Sequence, residues 1–357
     1  MNVPLFDLSR IIKQCEDDLL NSFKKNLKTC NFINGKPVEL FEQEFSRKTG
    51  EKYCKGVSSG TDALLSILIA LQLPPGSDII VPSFTFGATA MSVVRAGHNP
   101  VFADLSKGSF LVGSEEIEAA WTQNTRAVIF VNLFGEYYDA SDLKKICDHR
   151  GAYLIGDCAQ SFGTKYSSDY FASAFSFFPA KNLGCLGDGG AVVTSSEEFI
   201  KKVRVVCQHG CKIKYDYSIL GGNFRLDTIQ ASFLRVMLES VDSWIEKRKL
   251  NAKYYLENLQ EIRDIRLPSN TIHHSWNQFT LLSERRDSLK KYLENNGIGV
   301  AIYYPKPIHK CAFFDNKALI GLPETEKRSL QCLSIPIYPG LSKKEREYIV
   351  EKIRSFS

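Results

Sequence analysis

Lys181 stands in Phe175-Ser-Phe-Phe-Pro-Ala-Lys-Asn-Leu-Gly-Cys-Leu-Gly-Asp-Gly-Gly190, after a strand-like run and ahead of four glycines in seven residues. Glycines permit tight turns and close approach of backbone to a ligand. A lysine amine beside such a loop can form a Schiff base with a carbonyl. Taken alone, a solvated loop lysine is the commoner reading. Asp157 directly follows the apolar run Ala152-Tyr-Leu-Ile-Gly156. Ligands of open α/β sheets collect at the carboxyl ends of strands, so a carboxylate there can face one. Capping a helix N-terminus is an equally ordinary use of aspartate. Gln160 lies one turn further on and can point to the same side. Gly56-Val-Ser-Ser-Gly-Thr-Asp62 precedes an apolar helix pattern. Its small residues expose backbone N–H groups where the helix dipole favours an anion, which makes a cup for phosphate. It is not a Walker loop, because no Gly-Lys-[Ser/Thr] follows.

The three signals are more specific together than apart. A phosphate cup, a strand-end aspartate and a Gly-flanked lysine are the parts needed to hold pyridoxal phosphate. The lysine binds the aldehyde, and the aspartate keeps the ring nitrogen protonated so that the ring can draw in electrons.

These residues need elements that bring them to one place. Short apolar runs at 78–82, 100–103, 127–132, 152–157, 174–178 and 190–194 read as strands. Helical patterns at 61–72, 85–96, 114–121, 141–149 and 196–206 lie between or beside them. Such alternation predicts an α/β fold with a mainly parallel sheet covered on both faces. A long helical pattern runs from Leu226 to Leu259. Beyond it, the strand-like runs 278–282 and 300–304 and the helix 286–296 predict a smaller α+β domain. The boundary falls near residue 246, giving a large domain over 1–245 and a small one over 246–357, with the N-terminal helix free to pack on the latter.

Composition narrows the class. The chain has 357 residues, 44% apolar and 24% charged, which argues against wholesale disorder. The net charge of +5 is scattered, too weak a signal for nucleic acid. The richest apolar stretch, Ala63 to Leu73, contains Ser66 and Gln72 and stops at Pro74, so no membrane span is expected. The N-terminus carries no apolar signal core. Ten dispersed cysteines without a Cys-x-x-Cys pair read as reduced thiols, and a cytoplasmic location is expected. Cys207-Gln-His-Gly-Cys211 lacks the second ligand pair that zinc would want, so no metal is expected. His273 and His274 have no supporting pattern and read as a surface loop.

Five segments carry a family resemblance: Val57-Ser-Ser-Gly-Thr-Asp-Ala-Leu64, Val81-Pro-Ser-Phe-Thr-Phe-Gly-Ala-Thr-Ala90, Gly156-Asp-Cys-Ala-Gln-Ser-Phe-Gly163, Phe175–Gly190 and Gly222-Asn-Phe-Arg-Leu-Asp-Thr-Ile-Gln-Ala231. In order and spacing the chain resembles the DegT/StrS family of pyridoxal-phosphate-dependent sugar aminotransferases, within the fold type I (aspartate aminotransferase) superfamily. The resemblance implies Lys181 as the Schiff-base lysine and proton shuttle, and Asp157 as partner of the pyridinium nitrogen. It implies Gln160 on the ring hydroxyl, Gly60, Thr61 and Ser176 on the phosphate, and Phe86 stacked on the ring. Asn223 resembles a residue that reaches the phosphate from a neighbouring subunit, and Arg225 would contact substrate from that subunit in a homodimer with shared sites. Tyr303-Tyr-Pro-Lys-Pro-Ile-His309 resembles the segment that leans over the sugar site, implying Tyr303, Tyr304 and His309 in substrate binding; a strand ending in a Pro-rich turn is the plainer reading. Ala180, Cys158 and Gly222 depart from the commonest pattern without removing a group the chemistry needs.

The implied reaction moves nitrogen from L-glutamate, through the pyridoxamine phosphate form, to a nucleotide-linked keto sugar. The Tyr-Tyr-Pro-x-Pro-Ile-His segment looks more like members that aminate C3 than C4. Products of such enzymes usually feed cell-envelope polysaccharide, lipopolysaccharide or antibiotic sugars. The alternatives are a sugar dehydratase, against which Lys181 argues, another fold type I enzyme, and a cofactor-binding regulatory protein without turnover.

Overall fold

The structure is a computed structural model that describes residues 1–165, 169–269, 273–314 and 321–356. Seven strands form one sheet: β1 (Tyr53–Val57), β2 (Asp78–Pro82), β3 (Asn99–Ala103), β4 (Thr125–Val131), β5 (Tyr153–Asp157), β6 (Ala172–Ser176) and β7 (Gly190–Thr194). Their spatial order is β1-β7-β6-β5-β4-β2-β3. Strand β7 is antiparallel to both neighbours, and the remaining pairs are parallel. Parallel strands need crossover helices, which cover both faces and leave the strands apolar on both sides. Accordingly one face packs Phe41, Phe45, Phe130 and Phe175, and the other packs Ile67, Val93, Ile129 and Val203. The carboxyl ends of β1, β2, β4, β5 and β6 and the amino end of β7 therefore share one edge.

The helix Gly60–Leu71 shows how local chemistry sets that edge. Ser59 caps it, its hydroxyl accepting from the Asp62 N–H at 3.0 Å. The run Ala63-Leu-Leu-Ser-Ile-Leu68 is buried, and the helix stops at Gln72, in the left-handed region, ahead of Pro74. The close approach of the helix start to β7 and to β6 demands glycine. A Cβ on Gly190 would lie 2.5 Å from the Ser59 carbonyl carbon, and one on Gly60 would lie 2.7 Å from Ser176 Cβ.

Strand β1 was not among the predicted strands, because Lys55 interrupts its apolar run. That lysine is buried and paired with buried Glu42, Nζ to Oε1 at 2.8 Å. The same carboxylate oxygen accepts from the Gly56 N–H, so the ion pair holds the strand that leads into the cup. The N-terminal helix was anticipated without bounds and is observed as Glu16–Thr29; the helix Lys36–Thr49 was not anticipated. Residues 300–304 do not form the predicted strand. They make a single bridge, Ala301 to Ser334, and Pro305 and Pro307 remove the donors that further pairing would need.

A hairpin, β8 (Cys211–Ile213) and β9 (Asp216–Tyr217), projects Ile213, Tyr215 and Tyr217 into solvent. Strands β10 (Ile265–Arg266), β11 (Phe279–Ser283) and β12 (Cys332–Ile335) form an antiparallel sheet. The helix Thr228–Leu259 serves both regions. Its Trp244 and Ile245 pack on the seven-stranded sheet, and its Tyr255 and Leu259 pack with Val3, Phe279 and Ile349.

Candidate active site

Asp157 ends β5 and is 5% exposed. Its Oδ2 accepts from the Thr89 hydroxyl at 2.8 Å and its Oδ1 from the Ala159 N–H at 3.2 Å. Burial raises its pKa above the usual carboxylate value; those two hydrogen bonds and the nearby Lys181 charge partly offset the rise. Lys181 follows β6 in a turn whose N–H donates to the Phe178 carbonyl at 2.8 Å. Burial lowers its ammonium to about 8, against the opposing pull of Asp157. A desolvated amine beside a buried carboxylate is a nucleophile and base near neutral pH.

Asn182 secures the lysine from its C-terminal side. Its amide donates to the carbonyls of Phe162 at 3.0 Å and Ser275 at 3.1 Å, and its Oδ1 accepts from Asn277 at 3.2 Å. Gln160 is fixed at both ends of its amide. Its Oε1 accepts from the Phe134 N–H at 2.6 Å, and its Nε2 donates to the Tyr304 hydroxyl at 3.2 Å. Phe86 follows β2 and leaves its ring 63% exposed, 6.3 Å from that of Tyr304. Gly60 and Thr61 open the helix whose positive end faces Ser176 at the end of β6.

The edge thus brings together Gly60, Thr61, Phe86, Asp157, Gln160, Ser176, Lys181 and Tyr304. Tyr303 is half-buried with its ring 5.9 Å from that of Tyr304. Asn223 and Arg225 line a separate cavity of about 310 Å³ with Ser58, Asp188 and Asp227, where the buried Arg225 Nε has no partner. Two expectations need correction. His309 is 1% exposed, with Nδ1 on Ser83 and Nε2 on Glu326, so both ring nitrogens are engaged away from any substrate. His274 is no surface residue: it stacks on Trp276 at 3.8 Å, and burial drops its imidazole to about 3. His273 is exposed, as expected.

Sequence reasoning missed Thr89, Asn182 and Ser83. Thr89 carried no signal because a threonine in a helical pattern is unremarked; it is the second residue of the helix Ala88–Arg95, and its hydroxyl reaches Asp157. Among the described residues no cluster of three His, Cys, Asp or Glu side chains is arranged to hold a metal.

Residues 13–354 match the family model described as the DegT/DnrJ/EryC1/StrS aminotransferase family. The chain belongs to this family. Among its relatives is UDP-N-acetyl-3-dehydro-alpha-D-glucosamine 3-aminotransferase of Acidithiobacillus ferrooxidans, 36% identical over 99% of this chain and 97% of the relative. Another relative, equally 36% identical over 100% of this chain and 99% of its own, is called "Pleiotropic regulatory protein" in Geobacillus stearothermophilus. The fold matches NtdA from Bacillus subtilis, solved with bound cofactor PMP, at a TM-score of 0.95 and 30% identity over 99% of this chain and 85% of that one. The architecture is that of the fold type I aminotransferases, as the family resemblance implied, and the family's cofactor is pyridoxal phosphate.

Proposed function

We propose that this DegT-family aminotransferase transfers nitrogen from L-glutamate to carbon 3 of a nucleotide-linked keto sugar. The observation that carries the reading is the pairing of desolvated Lys181 with buried, hydrogen-bonded Asp157 at one sheet edge, beside an anion cup that only glycine at position 60 admits.

The chain's own groups fit pyridoxal phosphate. The N–H groups of Gly60 and Thr61, the Ser176 hydroxyl and the positive end of the helix Gly60–Leu71 take the phosphate. Asp157, oriented by Thr89 and Ala159, keeps a proton on the ring nitrogen. Gln160 has two amide hydrogens: Tyr304 takes one, which leaves the other for the ring hydroxyl. Phe86 offers its open face to the ring. When bound, the cofactor supplies an aldehyde carbon that exchanges amino groups and a ring that accepts electrons. With the cofactor held there, Lys181 Nζ would be the base that takes the substrate's α-proton and gives it back, so that one base would serve both halves. Proton transfer by a positioned side chain is worth about a hundred- to ten-thousand-fold in rate.

The preference for C3 is supported by the relative from Acidithiobacillus and by the Tyr303-to-His309 segment. A homodimer with shared sites is supported by the exposed apolar hairpin β8–β9 and by the unpaired Arg225 in its cavity. Within each subunit, a large unit over 1–245 and a small unit over 246–357 is supported by the helix Thr228–Leu259 packing into two cores. A cytoplasmic location is in keeping with ten free thiols; among the described residues no helix is long and apolar enough to cross a membrane. A place in envelope-polysaccharide or antibiotic-sugar assembly follows from the substrate class.

The test is isotope transfer. Purified protein, nitrogen-15 L-glutamate and UDP-N-acetyl-3-dehydro-α-D-glucosamine should yield a sugar nucleotide carrying the label at C3. Label at C4 of a 4-keto sugar alone would move the regiochemistry. Cofactor retained without label transfer to any keto sugar would favour a regulatory role, like the one the Geobacillus relative's name describes.

A further inference from the structure

His309 belongs to a buried chain of hydrogen bonds that the transamination reading leaves unused. Ser83, fully buried, is the first residue after β2. Its carbonyl accepts from the Ile308 N–H at 3.0 Å, and its hydroxyl accepts from the His309 N–H at 3.3 Å. The hydroxyl hydrogen is then free for His309 Nδ1 at 2.6 Å. This leaves the ring hydrogen on Nε2, which donates to Glu326 Oε1 at 3.2 Å. Glu326 sits on the helix Pro323–Gln331, whose first N–H groups are anchored on Asp104 beyond β3. Three segments far apart in sequence thus meet on one imidazole.

What the imidazole fixes is the wall of the site. On one side of Ser83 the chain continues through Phe84, whose ring lies 6.0 Å from Tyr304, to the exposed Phe86. On one side of His309 the chain runs back through two prolines to Tyr304, whose hydroxyl meets Gln160. Asp157 is held by other contacts, from Thr89 and Ala159, and the chain next to Lys181 is held by Asn182, bonded to the Phe162 carbonyl.

We propose that His309 is a positioning residue that clamps the β2 exit loop to the Tyr303–Ile308 segment, and so sets the wall against which the bulkier substrate, the sugar acceptor, is placed. The inference rests on the transamination reading and deepens it. A small amino acid needs the lysine and its immediate surroundings; a nucleotide sugar needs the wall as well. Loss of the clamp therefore weakens the acceptor half-reaction and spares the glutamate half-reaction.

Asparagine and glutamine separate the two contacts, because asparagine's amide superimposes on Nδ1 and glutamine's on Nε2. Holoenzyme carrying His309→Asn, which can still accept from Ser83, should keep an acceptor KM close to wild type. His309→Gln, which loses Ser83, should raise the KM for UDP-N-acetyl-3-dehydro-α-D-glucosamine on the order of tenfold, the scale of one lost buried hydrogen bond. Its single-turnover rate with L-glutamate should be unchanged. Ser83→Ala should match His309→Gln, and combining the two should add nothing. Nitrogen-15 NMR of the His309 ring in the wild type should show hydrogen on Nε2. Equal losses in both half-reactions, an acceptor KM for His309→Gln within about twofold of wild type, or hydrogen on Nδ1 would overturn the clamp. Failure of wild-type holoenzyme to react with L-glutamate at all would instead remove the transamination reading beneath it.

Discussion

The site has a floor and a wall, and they are built differently. The floor consists of Asp157, Lys181, Ser176 and the cup at Gly60, each at or just beyond a strand end of one sheet. Its groups are charged or charge-binding, and burial works against their charges: Asp157 is raised and Lys181 is lowered to about 8. The wall consists of Phe84, Phe86, Tyr303 and Tyr304, clamped by Ser83, His309 and Glu326 across a separation of 226 residues between serine and histidine. The groups that face the site are aromatic rings, and the one carboxylate of the clamp, Glu326, lies behind them, paired with Lys310. Strained electrostatics suits a region that handles protons, and a neutral contact surface suits a region that selects a partner for them.

The sharpest way to break this division is to remove the base. Lys181→Ala should slow the glutamate half-reaction by about a hundred- to ten-thousand-fold in stopped-flow absorbance. A variant with the wild-type rate would place the base elsewhere. Asp157→Asn keeps shape and loses charge, and its rate should fall roughly a hundredfold, the scale of a lost electrostatic partner. Fluorescence titration should show the cofactor itself still binding through the cup. If Asp157→Asn altered only the acceptor KM, the floor and wall would not be distinct.

A pH experiment addresses the floor alone. Lys181 in the cofactor-free protein sits at about 8, below its ordinary 10.5. Between these values the unfolded chain holds a proton that the folded chain has released, so stability rises with pH across that window. Below pH 8 both states are protonated and the folded state carries the full cost of a desolvated ammonium. Lys181→Met should therefore melt above wild type at pH 7, with the gap narrowing as pH rises towards 10.5. Parallel melting curves would show that the lysine is not desolvated. The smallest effect is expected at the wall: Tyr304→Phe loses one hydrogen bond to Gln160 and should raise the acceptor KM only a fewfold.

The same division explains what could be read in the sequence. Floor residues follow recognisable local patterns: an apolar strand, then a carboxylate; a strand, then a lysine among glycines; small residues, then a capped helix. The strands at 78–82, 152–157 and 190–194 were placed within a residue of their observed bounds for the same reason. The wall depends on contacts between segments hundreds of residues apart, which leave no local pattern. His309 was taken for a substrate residue because its segment resembles the one that leans over the sugar site in the family, and its serine and glutamate partners could not be seen. Strand β1 was hidden by Lys55, whose partner Glu42 lies 13 positions earlier on another element. Arg248 is a comparable case. It is buried on the long helix with no carboxylate partner among the described residues; its Nη1 donates to the carbonyls of Trp276 and Asn277 while its Nε has no partner, and burial drops its guanidinium to about 9.

The central claim, that Lys181 and Asp157 run a two-step amino transfer at this edge, is tested most directly by following the absorbance of purified holoenzyme. The account predicts a visible band that disappears on adding L-glutamate and returns on adding UDP-N-acetyl-3-dehydro-α-D-glucosamine, with neither change in Lys181→Ala. A band indifferent to glutamate, or a Lys181→Ala protein that cycles like wild type, would contradict it.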